Sequence, residues 1–150
     1  MLMSNVRALM SVADHIVGAE KVVEALGYWP SFHDAEVISF CIERALPLKK
    51  EHTPARLSVH IRHYESVGEG TAQYELVLRK SLLLRLLFNR ACDIELTDFN
   101  FQNVINSISV STIVTDEPAT LLVDIEPIWG FGGSLRCSSI EVEAVEVLPV

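Results

Sequence analysis

The segment from Trp29 to Val37 carries the side chains whose types and spacing are best suited to chemistry. It reads Trp-Pro-Ser-Phe-His-Asp-Ala-Glu-Val and places the imidazole of His33 between the hydroxyl of Ser31 and the carboxylate of Asp34. An imidazole titrates near neutral pH, so His33 and Asp34 could act together in general acid–base catalysis. The structural alternative is that Asp34 caps a turn while His33 binds backbone carbonyls where a strand begins. We favour this structural role.

The spacing of the other candidate ligands argues against a metal or phosphate site. His60 and His63 form an HxxH pair within a strand-like pattern, where residues three apart point to opposite faces. The sequence contains no HExxH motif, no paired CxxC motif and no dense cluster of His, Cys, Asp and Glu. The glycine-rich run Gly130–Gly133 lacks the Lys and Ser or Thr of a phosphate-binding loop, so it predicts a turn. We therefore predict no metal and no cofactor.

A second unusual segment combines three carboxamides with two aromatic rings. The carboxamides are Asn100, Gln102 and Asn103, and the rings belong to Phe99 and Phe101. In one interpretation the rings anchor the segment in the core and the amides bind loop backbone. In the other the amides face solvent and form a recognition surface, because a carboxamide both donates and accepts hydrogen bonds.

A helix must lead into the His33 segment. Apolar residues recur at spacings of three and four between residues 12 and 26, which predicts a helix over this range. The predicted apolar face consists of Ile16, Ala19, Val23 and Leu26. Gly27 is a natural stop for this helix. Residues 1–11 either extend the helix or form a separate turn.

After Pro30 the apolar period changes to two, which is typical of strands with one buried face. The alternating stretches lie at 37–42, 57–62, 74–79, 93–97, 107–115, 121–126 and 140–147. The stretch Leu82–Phe88 is apolar at almost every position and predicts an interior strand covered on both faces. A change of phase near Ala144 predicts a β-bulge in the last strand.

Two connections between these strands have recognisable sequences. The pair at 89–90 predicts a tight hairpin that returns the chain into a strand at 92–96. Residues 99–106 predict a small helical turn, which Asp98 or Asn100 could cap with a side-chain oxygen.

These elements define a fold class. Short loops between sequential strands favour antiparallel pairing, because parallel neighbours require a long crossover. We therefore expect one domain over residues 1–150 with an α+β fold. It would contain a mostly antiparallel β-sheet or sandwich of about eight strands, with the N-terminal helix packed on one face.

The charge balance limits the classes of partner. The chain has 20 acidic and 12 basic residues and a net charge of −8. It shows no basic stripe of the kind that a nucleic-acid-binding protein presents, so we expect no nucleic-acid partner. The longest apolar stretch is interrupted by Arg85 and is far shorter than the ~18 residues of a membrane span. We therefore expect no membrane association.

The cysteines and the apolar content bear on compartment and assembly. Cys41, Cys92 and Cys137 are odd in number and far apart, which favours a reducing compartment and buried, structural thiols. The N-terminus has no signal-peptide pattern, so we expect a cytoplasmic protein. Hydrophobic residues make up 49% of the chain. This surplus predicts strands buried on both faces, a homodimer contact, or both.

Three sequence blocks give the chain a family resemblance. The first is the segment at 29–37 and the second is Asp-Phe-Asn-Phe-Gln-Asn-Val-Ile at 98–105. The third comprises Phe-Gly at 131–132 and Arg-Cys at 136–137, followed by Ile-Glu-Val at 140–142. With these blocks in this order and separation, the chain resembles the bacterial immunity protein fifty family over most of its length.

The resemblance implies a function and a set of matching positions. Family members are predicted antidotes, encoded beside the toxins of bacterial polymorphic toxin systems, that bind a cognate toxin domain in the cytoplasm without acting as enzymes. The resemblance does not say whether the matching positions contact the toxin or hold the scaffold. These positions are Ser31, Phe32, His33, Asp34, Asn100, Gln102 and Asn103.

Three hypotheses follow from the sequence. The leading one is a non-enzymatic, cytoplasmic immunity protein that binds and neutralises a cognate toxin domain, and the acidic balance favours a basic toxin. The alternative is a small-ligand-binding module or an enzyme that uses His33 and Asp34 in a pocket. The third is a structural subunit that forms a homodimer through its apolar surplus.

Overall fold

The computed structural model describes residues 11–49, 53–114 and 119–150. The sequence predictions for residues 1–10 and for residue 115, the end of the predicted stretch at 107–115, lie outside these ranges. Within them the chain forms a short 3-10 helix, one α-helix and nine strands. The elements are the 3-10 helix Val12–His15, β1 Ile16–Val17, α1 Ala19–Leu26, β2 Glu36–Ile42, β3 Ala55–Val67, β4 Glu75–Asn89, β5 Cys92–Thr97, β6 Val104–Thr112, β7 Leu121–Trp129, β8 Gly132–Cys137 and β9 Ser139–Leu148.

The nine strands form one sheet in the order β1-β9-β4-β3-β2-β6-β7-β8-β5. Every neighbouring pair is antiparallel except β1 with β9, so the predicted α+β fold with a mostly antiparallel sheet is confirmed. The junction between β2 and β6 is narrow and contains a single register pair, Glu36 with Val104. Buried side chains from both sides of this junction belong to one hydrophobic core.

The N-terminal helix is shorter than predicted. It begins at Ala19, not at residue 12, because Gly18 adopts a left-handed conformation with φ of +81° that interrupts the helical path. Ile16, predicted to lie on the helix, instead pairs in β1 with Ile140 of β9. The predicted stop is confirmed, since Gly27 has φ of +98° and its N–H donates to the Val23 carbonyl at 2.7 Å.

The buried face of α1 is also rotated from the predicted one. Val22 and Leu26 are buried, whereas Val23 is 40% exposed. The helix packs against β9 and β4, as expected for a helix on one face of the sheet. The predicted face was defined partly by Ile16, which pairs in β1 and does not belong to the helix.

Strand β4 joins two predicted strands into one of 15 residues and lies between β3 and β9. Its even-numbered residues from Leu82 to Phe88 are buried, but Leu83 and Leu87 are only half-buried and Arg85 is exposed. The prediction that this strand is covered on both faces is therefore wrong. The predicted hairpin into 92–96 is wrong as well, because β9 occupies the edge of β4 and β5 pairs with β8.

The predicted bulge in the last strand is confirmed. Arg85 pairs with Ala144 and the next residue, Leu86, pairs with Val142, so Glu143 is the extra residue. The Glu143 carboxylate lies 3.0 Å from the Nε of Arg56 and 3.9 Å from a terminal guanidinium nitrogen of Arg85. The bulge thus places the Glu143 carboxylate between the guanidinium groups of Arg56 and Arg85.

The cysteines differ from one another in burial. Cys137 is fully buried, and burial raises the pKa of its thiol to about 12. Cys92 is partly buried, but Cys41 is exposed, so the prediction of a buried thiol is wrong for Cys41. Among the described residues, no helix has the length and apolar character needed to cross a membrane.

Candidate functional site

The fold brings the two unusual segments together at the β2–β6 junction. The N–H of Asp34 donates to the Ile105 carbonyl at 3.0 Å, and the N–H of Ile105 donates to the Ala35 carbonyl at 2.9 Å. A third bond joins the N–H of Val37 to the Asn103 carbonyl at 2.8 Å. Backbone bonds therefore fix the His33 segment beside the carboxamide segment.

Asn103 organises the loop that precedes β6. Its side chain is buried, and its Oδ1 accepts hydrogen bonds from the N–H of Asn100 at 2.8 Å and from the N–H of Phe131 at 3.2 Å. Its Nδ2 donates to the Asn100 carbonyl at 2.8 Å. The predicted helical turn at 99–106 is wrong, because Asn103 satisfies the loop backbone in an irregular conformation and β6 already begins at Val104.

The turn between β7 and β8 approaches this loop closely. Gly130 has φ of +78°, and a Cβ on it would collide with the Gln102 carbonyl oxygen and crowd Asn103. Only glycine can occupy this position without displacing the loop. The turn predicted for Gly130–Gly133 is confirmed, although Gly132 and Gly133 already belong to β8.

The His33 segment is held by one buried ring. Phe32 is 3% exposed and packs edge-on against Trp29 with ring centroids 5.7 Å apart. Both Phe32 and Asp34 have positive φ angles, of 65° and 64°, which is unusual for residues other than glycine. The Oγ of Ser31 accepts a hydrogen bond from the N–H of His33 at 3.3 Å. The tight path turns His33 and Asp34 outward, with 58% and 73% of their side chains exposed.

Four side chains form what we call the polar chain: Asp34, His33, Asn106 and Glu126. The Nδ1 of His33 lies 2.8 Å from the Oδ1 of Asn106, whose Nδ2 donates to a Glu126 carboxylate oxygen at 3.3 Å. Because the amide nitrogen faces Glu126, the amide oxygen faces the ring and accepts a hydrogen bond from the Nδ1–H of His33. The Nε2 of His33 then faces the Asp34 carboxylate at 3.5 Å. The prediction that His33 binds backbone carbonyls is therefore wrong.

His60 and His63 serve the scaffold. His60 and His63 lie on opposite faces of β3, where His60 hydrogen-bonds the Ser81 hydroxyl at 2.7 Å and His63 hydrogen-bonds the Tyr28 hydroxyl at 2.7 Å. Burial, followed by the charge of Arg62, lowers the pKa of His60. Across residues 11–49, 53–114 and 119–150, no three His, Cys, Asp or Glu side chains are placed to hold a metal ion.

Three aromatic side chains, which we call the aromatic corner, are exposed around this junction: Phe99, Phe101 and Trp129. They are 55%, 90% and 56% exposed. Among the described residues, only Phe99 of the three has a ring contact, an edge-on one with Phe131 at 5.8 Å. The interpretation in which Phe101 anchors the segment in the core is therefore wrong. Trp129, which pairs in register with Val104, was not predicted from the sequence. Its position directly before the tight turn at Gly130 is the signal that could have identified it.

The sequence left open whether the three carboxamides bind loop backbone or face solvent. One of the three is buried and the other two are exposed. Asn103 is buried and binds backbone, so it has the structural role. Asn100 is exposed, and its Nδ2 donates to the Asp98 carbonyl at 3.0 Å. Gln102 is exposed, and its backbone carbonyl lies against Gly130. The surface at the junction thus combines exposed rings with amide, imidazole and carboxylate groups on a hydrogen-bonded frame.

A comparison with protein families finds one match that spans nearly the whole chain. The family model described as Immunity protein 50 matches residues 18–148, a range that includes both segments of the junction. No curated protein and no solved structure shows significant similarity to the chain.

Proposed function

This chain belongs to the Immunity protein 50 family, and from that premise we propose that it binds and neutralises a cognate bacterial toxin domain. The family match over residues 18–148 is the observation that carries the proposal. In this proposal the protein acts in the cytoplasm of the cell that makes the toxin. It acts by binding alone, without catalysis and without a cofactor.

The junction surface is the best candidate for the contact with the toxin. The aromatic corner offers three large exposed rings, and aromatic side chains dominate the energy of many protein interfaces. The polar chain beside it supplies groups for hydrogen bonds at the rim of such a contact. The buried side chain of Asn103 already orders the loop, so little conformational entropy is lost on binding.

The charge of the protein indicates the chemistry of the toxin. Asp34, Asp98 and Glu126 lie on or beside the junction surface, and the chain as a whole has a net charge of −8. Complementary charge steers a basic partner toward such a surface and raises the association rate. A basic toxin domain, such as a nuclease, would be attracted by this negative charge. The protein would then compete with the toxin's own substrate.

Co-expression tests this function. The toxin domain encoded beside the gene is expressed in a host cell with and without this chain, and growth is followed together with capture of the complex from the lysate. We expect this chain to restore growth and to co-purify with the toxin domain. Continued growth arrest in the presence of abundant, folded protein would reject the proposal for that pairing.

A further inference from the structure

The hairpin of β3 and β4 extends beyond the rest of the sheet. Strand β2 pairs with residues 55–60 of β3, and β9 pairs with residues 81–89 of β4. The two strands nevertheless pair with each other as far as Val67 and Glu75. Residues 64–78 therefore form a two-stranded projection, which we call the arm. None of its residues is buried.

The base of the arm is fixed to the end of α1. The Tyr28 hydroxyl hydrogen-bonds the Nδ1 of His63 at 2.7 Å, and the two rings meet edge-on with centroids 5.5 Å apart. On the neighbouring strand, the Nζ of Lys80 donates to the Leu26 carbonyl at 2.9 Å. The arm therefore projects from a fixed base.

The tip of the arm is ordered by its own turn. The N–H and the hydroxyl of Thr71 both donate to the Gly68 carbonyl, at 3.1 Å and 2.7 Å. The same hydroxyl accepts a bond from the N–H of Gln73 at 3.2 Å. Gly68 has φ of +69°, and a Cβ there would collide with the backbone of Gln73. A pre-ordered tip loses less entropy on binding than a flexible loop does.

The arm presents apolar groups to solvent. Tyr64, Tyr74 and Leu76 are 45%, 53% and 59% exposed. The register pairs Tyr64 with Leu78 and Ser66 with Leu76, which places Tyr64 and Leu76 on the same face. An isolated two-stranded hairpin is only marginally stable in water, so exposed apolar groups on one indicate a role in contact with a partner.

The charges of the arm favour a partner with a basic surface. Arg79, which directly follows the arm, forms an ion pair with Glu65 at 2.8 Å, so Glu65 already has a cationic partner. Glu69 and Glu75 form no ion pair with any other residue in the described ranges. In a symmetric arm-to-arm contact, a second copy of this chain would bring the same carboxylates together and be repelled. A partner that complements the arm must offer cations beside an apolar groove.

We propose that the arm inserts into a basic, apolar-lined cleft of the toxin domain and forms a second contact with it. This inference rests on the proposed function and specifies part of its interface. The segment from Tyr28 to His33 links the base of the arm to the polar chain. Five residue steps span at most about 18 Å, so one partner of ordinary size can contact both surfaces.

Binding of the purified full-length chain to the purified toxin domain tests the arm. The apolar test is the double substitution Tyr74→Ser and Leu76→Ser, with Leu48→Ser as the control, because Leu48 is 61% exposed and lies outside the arm. We expect the double variant to weaken the affinity roughly tenfold or more, mainly through faster dissociation. The control should bind like the wild type, and circular dichroism should confirm that all variants fold.

The charge test replaces Glu69 and Glu75 with Gln, with Glu95→Gln on the exposed edge strand β5 as its control. We expect the double variant to associate several-fold more slowly at low salt and to match the wild type at high salt. If the wild type binds and the arm variants bind equally well, the arm inference is wrong while the proposed function stands.

Two further outcomes also decide the inference. If the wild-type chain does not bind the toxin domain at all, the proposed function fails and the arm inference fails with it. If light scattering shows that the free chain is a dimer and that the arm substitutions make it a monomer, the arm binds a second copy instead. That result would overturn the inference.

Discussion

The side-chain oxygen of Asn103 accepts a hydrogen bond from the backbone N–H of Phe131 at 3.2 Å, across 28 residues of sequence. The same oxygen also accepts a bond from the N–H of Asn100. One buried amide thus ties the loop before β6 to the turn between β7 and β8. These two hydrogen bonds help to position the aromatic corner, because Phe101 belongs to the loop and Trp129 directly precedes the turn.

Removing the Asn103 amide should destabilise the protein strongly. In Asn103→Ala, the buried N–H of Phe131 and the partly buried N–H and carbonyl of Asn100 lose their partner, which predicts a loss of about 2–4 kcal/mol in the free energy of unfolding. Urea unfolding measures this loss. Gln102→Ala is the matched control, since Gln102 is the exposed neighbour, and we expect it to change stability by less than about 0.5 kcal/mol. Equal effects from the two variants would contradict the assigned role of Asn103.

Replacing His33 tests whether this residue contributes to toxin binding or to the stability of the fold. The imidazole is largely exposed, so His33→Ala should cost less than about 1 kcal/mol of stability. Its loss breaks the polar chain at Asn106, and we expect the affinity for the toxin domain to fall roughly tenfold. Calorimetric titration and urea unfolding of the same variant give both values. A variant that loses stability without losing affinity would assign His33 to the scaffold.

The buried thiol of Cys137 should make stability decrease at alkaline pH. The unfolded thiol ionises from about pH 8.5, whereas burial raises the folded pKa to about 12. The folded state therefore holds a proton that the unfolded state loses, and stability falls as pH rises through this window.

The comparison of wild type with Cys137→Ala tests this effect. Between pH 7.5 and pH 10 the wild type should lose roughly 1–2 kcal/mol more than the variant does. Cys41→Ala is the control, because Cys41 is exposed, and it should follow the wild type. Identical losses in all three proteins would show that Cys137 does not cause the decrease.

Much of the sheet could be predicted because the signal is local. Side chains alternate along a strand with a period of two, so buried residues such as Val59 and the bulge at Glu143 follow from neighbouring residues alone. The interruption by Gly18 and the pairing of β5 with β8 did not follow. The residue type of a glycine does not determine its φ angle, because glycine adopts both signs readily. Strand pairing depends on residues that are distant in sequence.

The candidate site was predicted in part for the same reason. The sequence marked His33 and Asn103, because their residue types are unusual where they stand. It could not show that Asn103 is buried while Phe101 is exposed, since the partners of Asn103 include a backbone group 28 residues away. Trp129 was missed because its exposure depends on the phase of β7 after two register shifts.

The affinity of the aromatic corner for the toxin domain tests the central claim most directly. The measurement compares the dissociation constants of the wild type, of the double variant Phe101→Ser and Trp129→Ser, and of the exposed control Leu48→Ser. We predict that the double variant binds roughly a hundredfold more weakly and that the control is unchanged, with all three proteins equally folded. A double variant that binds the toxin domain as tightly as the wild type would contradict the account.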